Sequence, residues 1–324
     1  MNVIDSFLKQ CKRYWKENSS QKKEPIKFYN WIGESNGYWF RKFINQTELL
    51  RDSKKSIAFF SLFGGKLPIY LNRSNVKVFF TGENIHRNEF GHDFTRYENY
   101  GFDCGIDLAL GFDCNYNNHN HNYLRFPLWT LYEIPSTTDA GEIKSICDNL
   151  SYHSLKESLR FCSLVSQHDP NGLRKEIYDA LSGLGEISCG GRFLNNTDEL
   201  KTIYQDDKIL YLKQFKFNIC PENTNVEGYV TEKIFQSIQS GSVPIYWGSN
   251  NDPEPEILNK DAIIFWNKGG DNTAVVRLIE DLNKSPKLYK EFYEQPRLLP
   301  HADQAIMEVM HSLEHRLKSL INNK

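Results

Sequence analysis

The sequence predicts an α/β protein built on parallel sheets. Three observations carry this. Short apolar runs alternate along the chain with segments of helical spacing. Residues 215–248, FKFNICPENTNVEGYVTEKIFQSIQSGSVPIYWG, spell strand, helix and strand in about the length of one βαβ unit. A chain of 324 residues is also too long for one ordinary core and suits two domains of roughly 150 residues each.

Composition narrows the function classes. Aromatics at 14% and hydrophobics at 40% describe a globular protein, and a formal charge of −2 gives no reason to expect nucleic acid as a partner. The seven cysteines, at 11, 104, 114, 147, 162, 189 and 220, are odd in number and contain no CxxC pair. That argues against a disulfide scaffold or zinc ribbon and fits free thiols in a reducing compartment. The first 24 residues hold no apolar stretch of signal-peptide length, and no later run approaches the ~20 apolar residues of a membrane span. The expectation is a cytoplasmic chain with no transmembrane segment. Phe7, Leu8, Tyr14 and Trp15 among many lysines read as an amphipathic helix. Packing on the body is the favoured role, and the pattern leaves room for peripheral contact with the inner membrane face.

Taken in order, Ile26 to Ile32, Ile57 to Leu62 and Val76 to Phe80 read as strands, with helical spacing between Phe40 and Leu50. Val76 to Phe80 stops at Thr81-Gly82-Glu83-Asn84, which puts the Glu83 carboxylate in the loop beyond a buried strand. Loops at that edge carry chemistry, although on this stretch alone a turn or helix cap is the plainer reading. Asp107 to Phe112 is a further short strand, and a polar loop leads from it to Leu124-Arg125-Phe126-Pro127. His119 and His121 in that loop do not make a metal or nuclease site, which would want further ligands and a basic DNA-facing surface. From Thr137 to Ser158 the chain is polar with few large apolar residues. The boundary is therefore expected there, giving domains 1–155 and 156–300, with 301–324 a last amphipathic helix centred on Ala305 to Leu320.

In the second half, Phe161 to Ser166 starts as a strand, His168 to Gly172 turns, and Leu173, Ile177, Leu181 and Leu184 share a helix face. Arg174 sits in the first turn of that helix, where a cation typically loses 0.3–1 kcal/mol unless an anion meets it. In the 215–248 unit, Phe215, Phe217 and Ile219 alternate as a strand; Ile234, Phe235 and Ile238 share one helix side, and Gly241 stops it. Asn223, Glu232 and Lys233 then lie at the carboxyl edge of the strand or in the first helical turn. In one parallel sheet Arg174 and Lys233 face the same edge, and two cations with two helix starts suit a diphosphate better than a single carboxylate. No GxxxxGK[ST] or GxGxxG sequence is present. Asp206-Asp207 and Asn251-Asp252, the nearest approach to a metal-holding DxD, read as exposed turns. Residues 257–266 add a strand centred on Ala262 to Phe265, followed by helical patterns at Val275 to Leu282 and Leu288 to Tyr293.

These residues resemble a known family. NxCPENTNVEGYVTEKIFQSIQSGSVPIYWG is similar to the donor-binding signature of the α1,3/α1,4-fucosyltransferases, glycosyltransferase family 10, and especially of its soluble bacterial members. VKVFFTGEN, DLALGFD followed by YLRFPLW, and LRKEIYDAL then GG stand in that family's order. The resemblance implies a GT-B architecture, two Rossmann-like domains facing across a cleft, with the acceptor mainly in the amino-terminal domain and the donor in the other. It implies an inverting transfer of L-fucose from GDP-fucose to a GlcNAc hydroxyl of an N-acetyllactosamine-type oligosaccharide, with Lewis X-like α1,3 product. By similarity Arg174, Asn223 and Lys233 hold the diphosphate, Glu232 meets the ribose or the sugar, and Tyr229, Val230 and Thr231 complete the wall. Glu83 falls on the position of the general base. Trp31, Glu34 and the 115–123 loop are candidate acceptor contacts. With no DxD triplet, transfer is expected to need no metal or other cofactor. Pro221 departs from the Phe common before Glu-Asn, and the carboxyl-terminal heptad repeats of some bacterial relatives are absent. The alternatives are a GT-B enzyme for another GDP-sugar and a non-catalytic glycan- or nucleotide-binding relative.

Overall fold

The computed structural model describes residues 3–32, 35–86, 94–103, 105–114, 122–155 and 159–324. The chain folds as two units, Met1–Asp139 together with Met307–Lys324, and Ala140–Ile306.

In the first unit, β1 (Ile26–Tyr29), β2 (Ile57–Phe60), β3 (Val76–Phe80), β4 (Leu108–Gly111) and β5 (Tyr123–Arg125) are parallel neighbours in chain order. α1 (Val3–Ser20) precedes β1, α2 (Ser35–Gln46) and α3 (Leu67–Leu71) lie in the next two crossovers, and α4 (Trp129–Glu133) follows β5. Strands covered on both faces need apolar residues at every position, and β2 and β4 are buried throughout. Parallel register sets Phe28 beside Phe59 and Tyr29 beside Phe60, with ring centroids 5.3 Å apart in each pair. The edge strand is closed by a side chain: Phe28 N donates to Gln21 Oε1 at 2.7 Å, and Gln21 Nε2 donates to Phe28 O at 2.8 Å. β1 ends before the expected Ile32 because Asn30 adopts φ 63°, which turns the chain out of the sheet.

In the second unit, β6 (Arg160–Leu164), β7 (Ile187–Cys189), β8 (Phe215–Ile219), β9 (Val243–Tyr246) and β10 (Ile264–Phe265) form a parallel sheet in the order β10-β9-β8-β6-β7. Its helices are α5 (Ala140–Ser151), α6 (Leu173–Leu181), α7 (Glu199–Thr202), α8 (Lys208–Leu212), α9 (Glu232–Ser240), α10 (Thr273–Lys284) and α11 (Pro286–Tyr293). The chain steps from β6 out to β7, then crosses back to lay β8 on the other side of β6. That reversal makes the carboxyl ends of β6 and β8 the switch point, where the outgoing loops diverge and leave a crevice for ligands. The core beneath is built from Cys162, Leu164, Phe217, Ile219, Val243 and Ile245 of the strands and Leu173 and Ile177 of α6.

Three expectations change. The polar stretch from Thr137 to Ser158 contains α5, whose buried Ile143, Cys147 and Leu150 recur at helical spacing and pack the helix on α9. The chain therefore divides at Asp139 rather than near 155. The strand centred on Ala262 to Phe265 shrinks to Ile264–Phe265, because Lys260–Ala262 is a 3₁₀ turn started by Asn259. β7 has no counterpart in the sequence reading.

The last helix, α12 (Ala302–Asn323), starts in the second unit and ends in the first. Ile306, Met310, Leu313, Leu317 and Ile321 form its buried stripe. Lys55 Nζ donates to Ile321 O, and Lys324 pairs with Asp107. Among the described residues no helix is long and apolar enough to cross a membrane. Cys11, Cys147, Cys162, Cys189 and Cys220 are free thiols.

Candidate functional site

Beyond β8 the backbone stays extended and keeps pairing with β9 past the end of the strand. Cys220 N donates to Ile245 O at 3.0 Å and Glu222 N to Trp247 O at 2.8 Å. The chain then turns through Gly228, at φ 78°, and enters α9 at Thr231, whose backbone is extended. Thr231 does not cap the helix with its own side chain. Glu222 fixes that residue from across the loop: its fully buried carboxylate accepts Thr231 N at 2.8 Å through Oε1, and Thr231 Oγ1 lies 3.0 and 2.8 Å from its two oxygens. Lys233 Nζ donates to Glu222 Oε2 at 3.0 Å and to Thr231 Oγ1 at 2.8 Å.

The electrostatics of this cluster follow from those contacts. Burial alone would pull the Lys233 pKa down, but the Glu222 and Glu232 carboxylates outweigh it and hold the ammonium above its ordinary value. Burial would raise Glu232, and the Lys233 and Lys208 charges reverse that, so its carboxyl titrates below the usual range. Lys208, at the start of α8, is lowered by burial against the pull of Glu232, and its Nζ donates to Gln236 Oε1 at 2.7 Å. Both Lys233 and Glu232 are thus charged at neutral pH, with Lys233 Nζ 3.9 Å from Glu232 Oε1.

The loop from β6 to α6 meets this cluster at the switch point. Arg174 is buried, and its Nη2 donates to Pro221 O at 3.1 Å and to Asn223 Oδ1 at 3.0 Å. Asn171 Nδ2 donates to Asn223 O at 3.0 Å, so two side chains of one loop fasten the other. The anion missing from the sequence reading is Asp169, whose carboxylate accepts Arg174 N at 3.1 Å and Lys175 N at 3.0 Å. This corrects the picture of two open helix starts. The first amides of α6 are already taken by Asp169, and the Arg174 guanidinium is directed away from its own helix onto the β8 loop.

The structure therefore sets Arg174 with Asn223, and Thr231 and Glu232 with Lys233, at one sheet edge; Glu222, which holds Thr231 and Lys233, and Asp169, which holds the start of α6, were passed over by sequence reasoning. Glu222 stands within the ENTNVEGYVTEK stretch, but nothing in its spacing marks it as the buried partner of Thr231 and Lys233. Tyr229 and Val230 are buried behind them. A second loop backs the cluster: Gly228 N donates to Ser249 Oγ at 3.0 Å and Asn250 N to Asn225 Oδ1 at 2.6 Å. Gly248 has φ 151°, and a Cβ there would stand 2.7 Å from Glu222 Cγ and 2.8 Å from the Tyr246 hydroxyl. Asp207 caps α8 through Leu210 N at 2.9 Å, and Asp252 pairs with Lys260 at 2.5 Å, so each of these two carboxylates has a local structural partner.

In the first unit, Glu83 follows β3 at the carboxyl edge of its sheet and is half-buried, with its backbone held by Thr81: Glu83 N donates to Thr81 Oγ1 at 3.2 Å, and Thr81 Oγ1 to Glu83 O at 2.9 Å. Near it in sequence, His86 Nε2 lies 2.6 Å from Asp113 Oδ1, and the Tyr100 hydroxyl donates to Asp113 Oδ2 at 2.7 Å. The hydrogen bond to Asp113 raises the His86 pKa against the opposing effect of burial. Trp31 stacks on Phe80, the last residue of β3, with centroids 5.8 Å apart and planes 6° from parallel. It lines a pocket of about 510 Å³ with Phe28, Tyr38, Arg41, Glu17 and Gln21. Glu34, His119, His121 and most of the 115–123 loop lie outside the described residues.

Residues 153–312 match the family model described as glycosyltransferase family 10 (fucosyltransferase) C-term, and residues 25–132 match the one described as alpha-(1,3)-fucosyltransferase FucT N-terminal domain. The alpha-(1,3)-fucosyltransferase FucT of Helicobacter pylori is 32% identical over 205 residues, 55% of this chain and 39% of that protein. Alpha-(1,3)-fucosyltransferase B of Drosophila melanogaster is 28% identical over 204 residues, 60% of this chain and 45% of that protein. The chain thus spans less than half the length of these relatives. Among solved structures, an alpha1,3-fucosyltransferase superposes with TM-score 0.57 at 21% identity, covering 90% of this chain and 89% of that one. TarM superposes with TM-score 0.51 at 12% identity over 89% of this chain and 57% of that one. At these identities the likeness establishes the fold, which is that of the GT-B glycosyltransferases.

Proposed function

Because the chain belongs to glycosyltransferase family 10, we propose that it is an inverting α1,3-fucosyltransferase, moving L-fucose from GDP-fucose to a GlcNAc hydroxyl of an N-acetyllactosamine-type glycan. The observation that carries this reading is the pair of cations at the switch point, Arg174 fixed by Asn223 and Lys233 fixed by Glu222. A related alpha1,3-fucosyltransferase has been solved with GDP-fucose.

In this reading the donor diphosphate is met by Arg174, Lys233 and Asn223, and the ionised Glu232 accepts hydroxyl hydrogen bonds from the ribose or the fucose. Transfer is a single displacement. The bond from the anomeric carbon to the β-phosphate oxygen breaks as the acceptor oxygen bonds to that carbon from the opposite face, and β-linked donor becomes α-linked product. Glu83 takes the acceptor hydroxyl proton. GDP leaves with the electron pair, and its growing negative charge falls to groups already positioned for it. Preorganised cations of this kind stabilise a leaving diphosphate without a metal ion. The aromatic face of Trp31 offers the acceptor an apolar platform.

The test is a thermal-shift panel of GDP, UDP, ADP and GDP-fucose with and without EDTA, followed by transfer to N-acetyllactosamine with the linkage read by NMR. A ligand at 100 times its dissociation constant stabilises a fold by ~2.7 kcal/mol, a shift of several degrees at this size. A GDP-selective shift that survives EDTA, with α1,3-linked product, is the expected result. A GDP shift without transfer from GDP-fucose would move the assignment to another GDP-sugar or to a non-catalytic relative, and no shift with any nucleotide would overturn the donor site.

A further inference from the structure

α1 presents large apolar side chains and lysines to solvent. Its inner side is held to the body: Tyr14 is buried and stacks on Tyr29, Arg13 Nη1 donates to Phe63 O at 2.6 Å, and Arg13 Nε pairs with Glu17 at 2.8 Å. On the outer side Leu8 is 49% exposed and Trp15 60% exposed, and Phe7 beside Leu8 is 53% exposed. Leu8 and Trp15 are seven residues apart and share one stripe. Lys12 and Lys16, four residues apart and both exposed, form the adjoining stripe. Residues 3–24 hold six Lys and Arg against three Asp and Glu, in a chain whose formal charge is −2.

We propose that this face of α1 docks on an anionic lipid surface, with Leu8 and Trp15 entering the headgroup region and the lysines meeting lipid phosphates. The combination selects this occupant. A helix with an aromatic and aliphatic stripe bordered by lysines lies in the membrane interface, where Trp is at home and anionic headgroups draw the cations. A protein partner would be served poorly, since lysine is depleted where protein interfaces bury apolar side chains. A polyanion in solution would use the lysines and leave Leu8 and Trp15 in water. At 18 residues the helix is ~27 Å long. Its charges keep it parallel to the surface rather than across it.

The experiment is co-sedimentation of the whole chain with vesicles of phosphatidylcholine alone and with one third phosphatidylglycerol, at low and high salt. The chain binds the anionic vesicles, releases in high salt, and leaves the neutral ones in solution. Lys12→Gln and Lys16→Gln each weaken binding roughly fivefold, the equivalent of about 1 kcal/mol per lysine near a charged surface. Trp15→Ser weakens it further, whereas Trp15→Phe retains it. Because these side chains are exposed, all variants keep the urea midpoint of the unaltered chain. Equal binding to both vesicle types, no binding to either, or variants that bind like the unaltered chain overturn the proposal. So does a solution dimer abolished by Trp15→Ser, which would give the face to a second copy.

Discussion

Replacing Lys233 with Met in the nucleotide-free protein isolates the contact that organises the proposed donor edge. Methionine keeps most of the apolar stem and removes the cation, leaving the Glu222 carboxylate buried with only its Thr231 partners. Removing one partner of a buried ion pair typically costs 3–5 kcal/mol. The Lys233 side chain is 20% exposed and Thr231 still serves Glu222, so the lower end applies, ~3 kcal/mol. Glu222→Gln is milder, about 1–2 kcal/mol, since the amide can still accept Thr231 N and the lysine can reach toward water. In the double variant no charge is orphaned, so the two costs fall short of adding by ~2 kcal/mol. Lys233 is held above its ordinary pKa, so its contribution is complete below the unfolded value of 10.5 and is lost only as pH rises through the higher folded value. Urea unfolding at neutral pH therefore reads it in full. If Lys233→Met costs under about 1 kcal/mol and the cycle closes to within ~0.5 kcal/mol, the pair does not organise the loop and the reasoning fails.

Further outcomes are equally concrete. Glu83→Gln should lower turnover by about 10²-fold or more while GDP affinity, read by calorimetry, stays unchanged; normal turnover would remove Glu83 from the role. Arg174→Ala should weaken GDP binding roughly 10- to 100-fold, the range of lost charge-assisted hydrogen bonds, and titration of the variant checks it. Gly248→Ala adds a Cβ that must displace Glu222 or Tyr246 at a backbone angle alanine avoids, so it should lower both the melting temperature and GDP affinity. His86 has a raised pKa, so its pairing with Asp113 stabilises the fold below the unfolded value of 6.5 and ceases to do so as pH climbs through the folded value. His86→Gln should accordingly flatten the pH dependence of the urea midpoint between about pH 6 and 8, and an unchanged slope would contradict that.

How far the sequence foretells this molecule depends on how local the cause is. β3 and β8 occupy the residues their apolar patterns predict, and α9 runs from beside Thr231 to Gly241 because its buried stripe and its left-handed glycine are both written within ten residues. β7 escaped because three residues between glycines carry no readable period. α5 escaped because three buried apolar side chains in twelve residues look sparse until they are placed on a helix. At the site, the edge and its cations were legible from the strand-to-helix pattern, since a parallel sheet sends every such loop the same way. The anions were not. Asp169 matters because it meets amides five and six residues on, and Glu222 because it spans a loop to Thr231 and Lys233. Neither geometry follows from composition or period.

The path of α12 has a consequence for how the protein is made. The second unit is contiguous, so all of its sequence exists once Ile306 has been added. The first unit is begun first and finished last: Leu313, Leu317 and Ile321 are missing until the final turns are synthesised. Until then the Lys55 ammonium and the Asp107 carboxylate wait for their partners, and the apolar surface meant for the stripe is open to solvent. The order of synthesis thus leaves the older half of the chain the more vulnerable to aggregation or chaperone capture, and early termination anywhere in the last helix harms the unit whose strands were made long before.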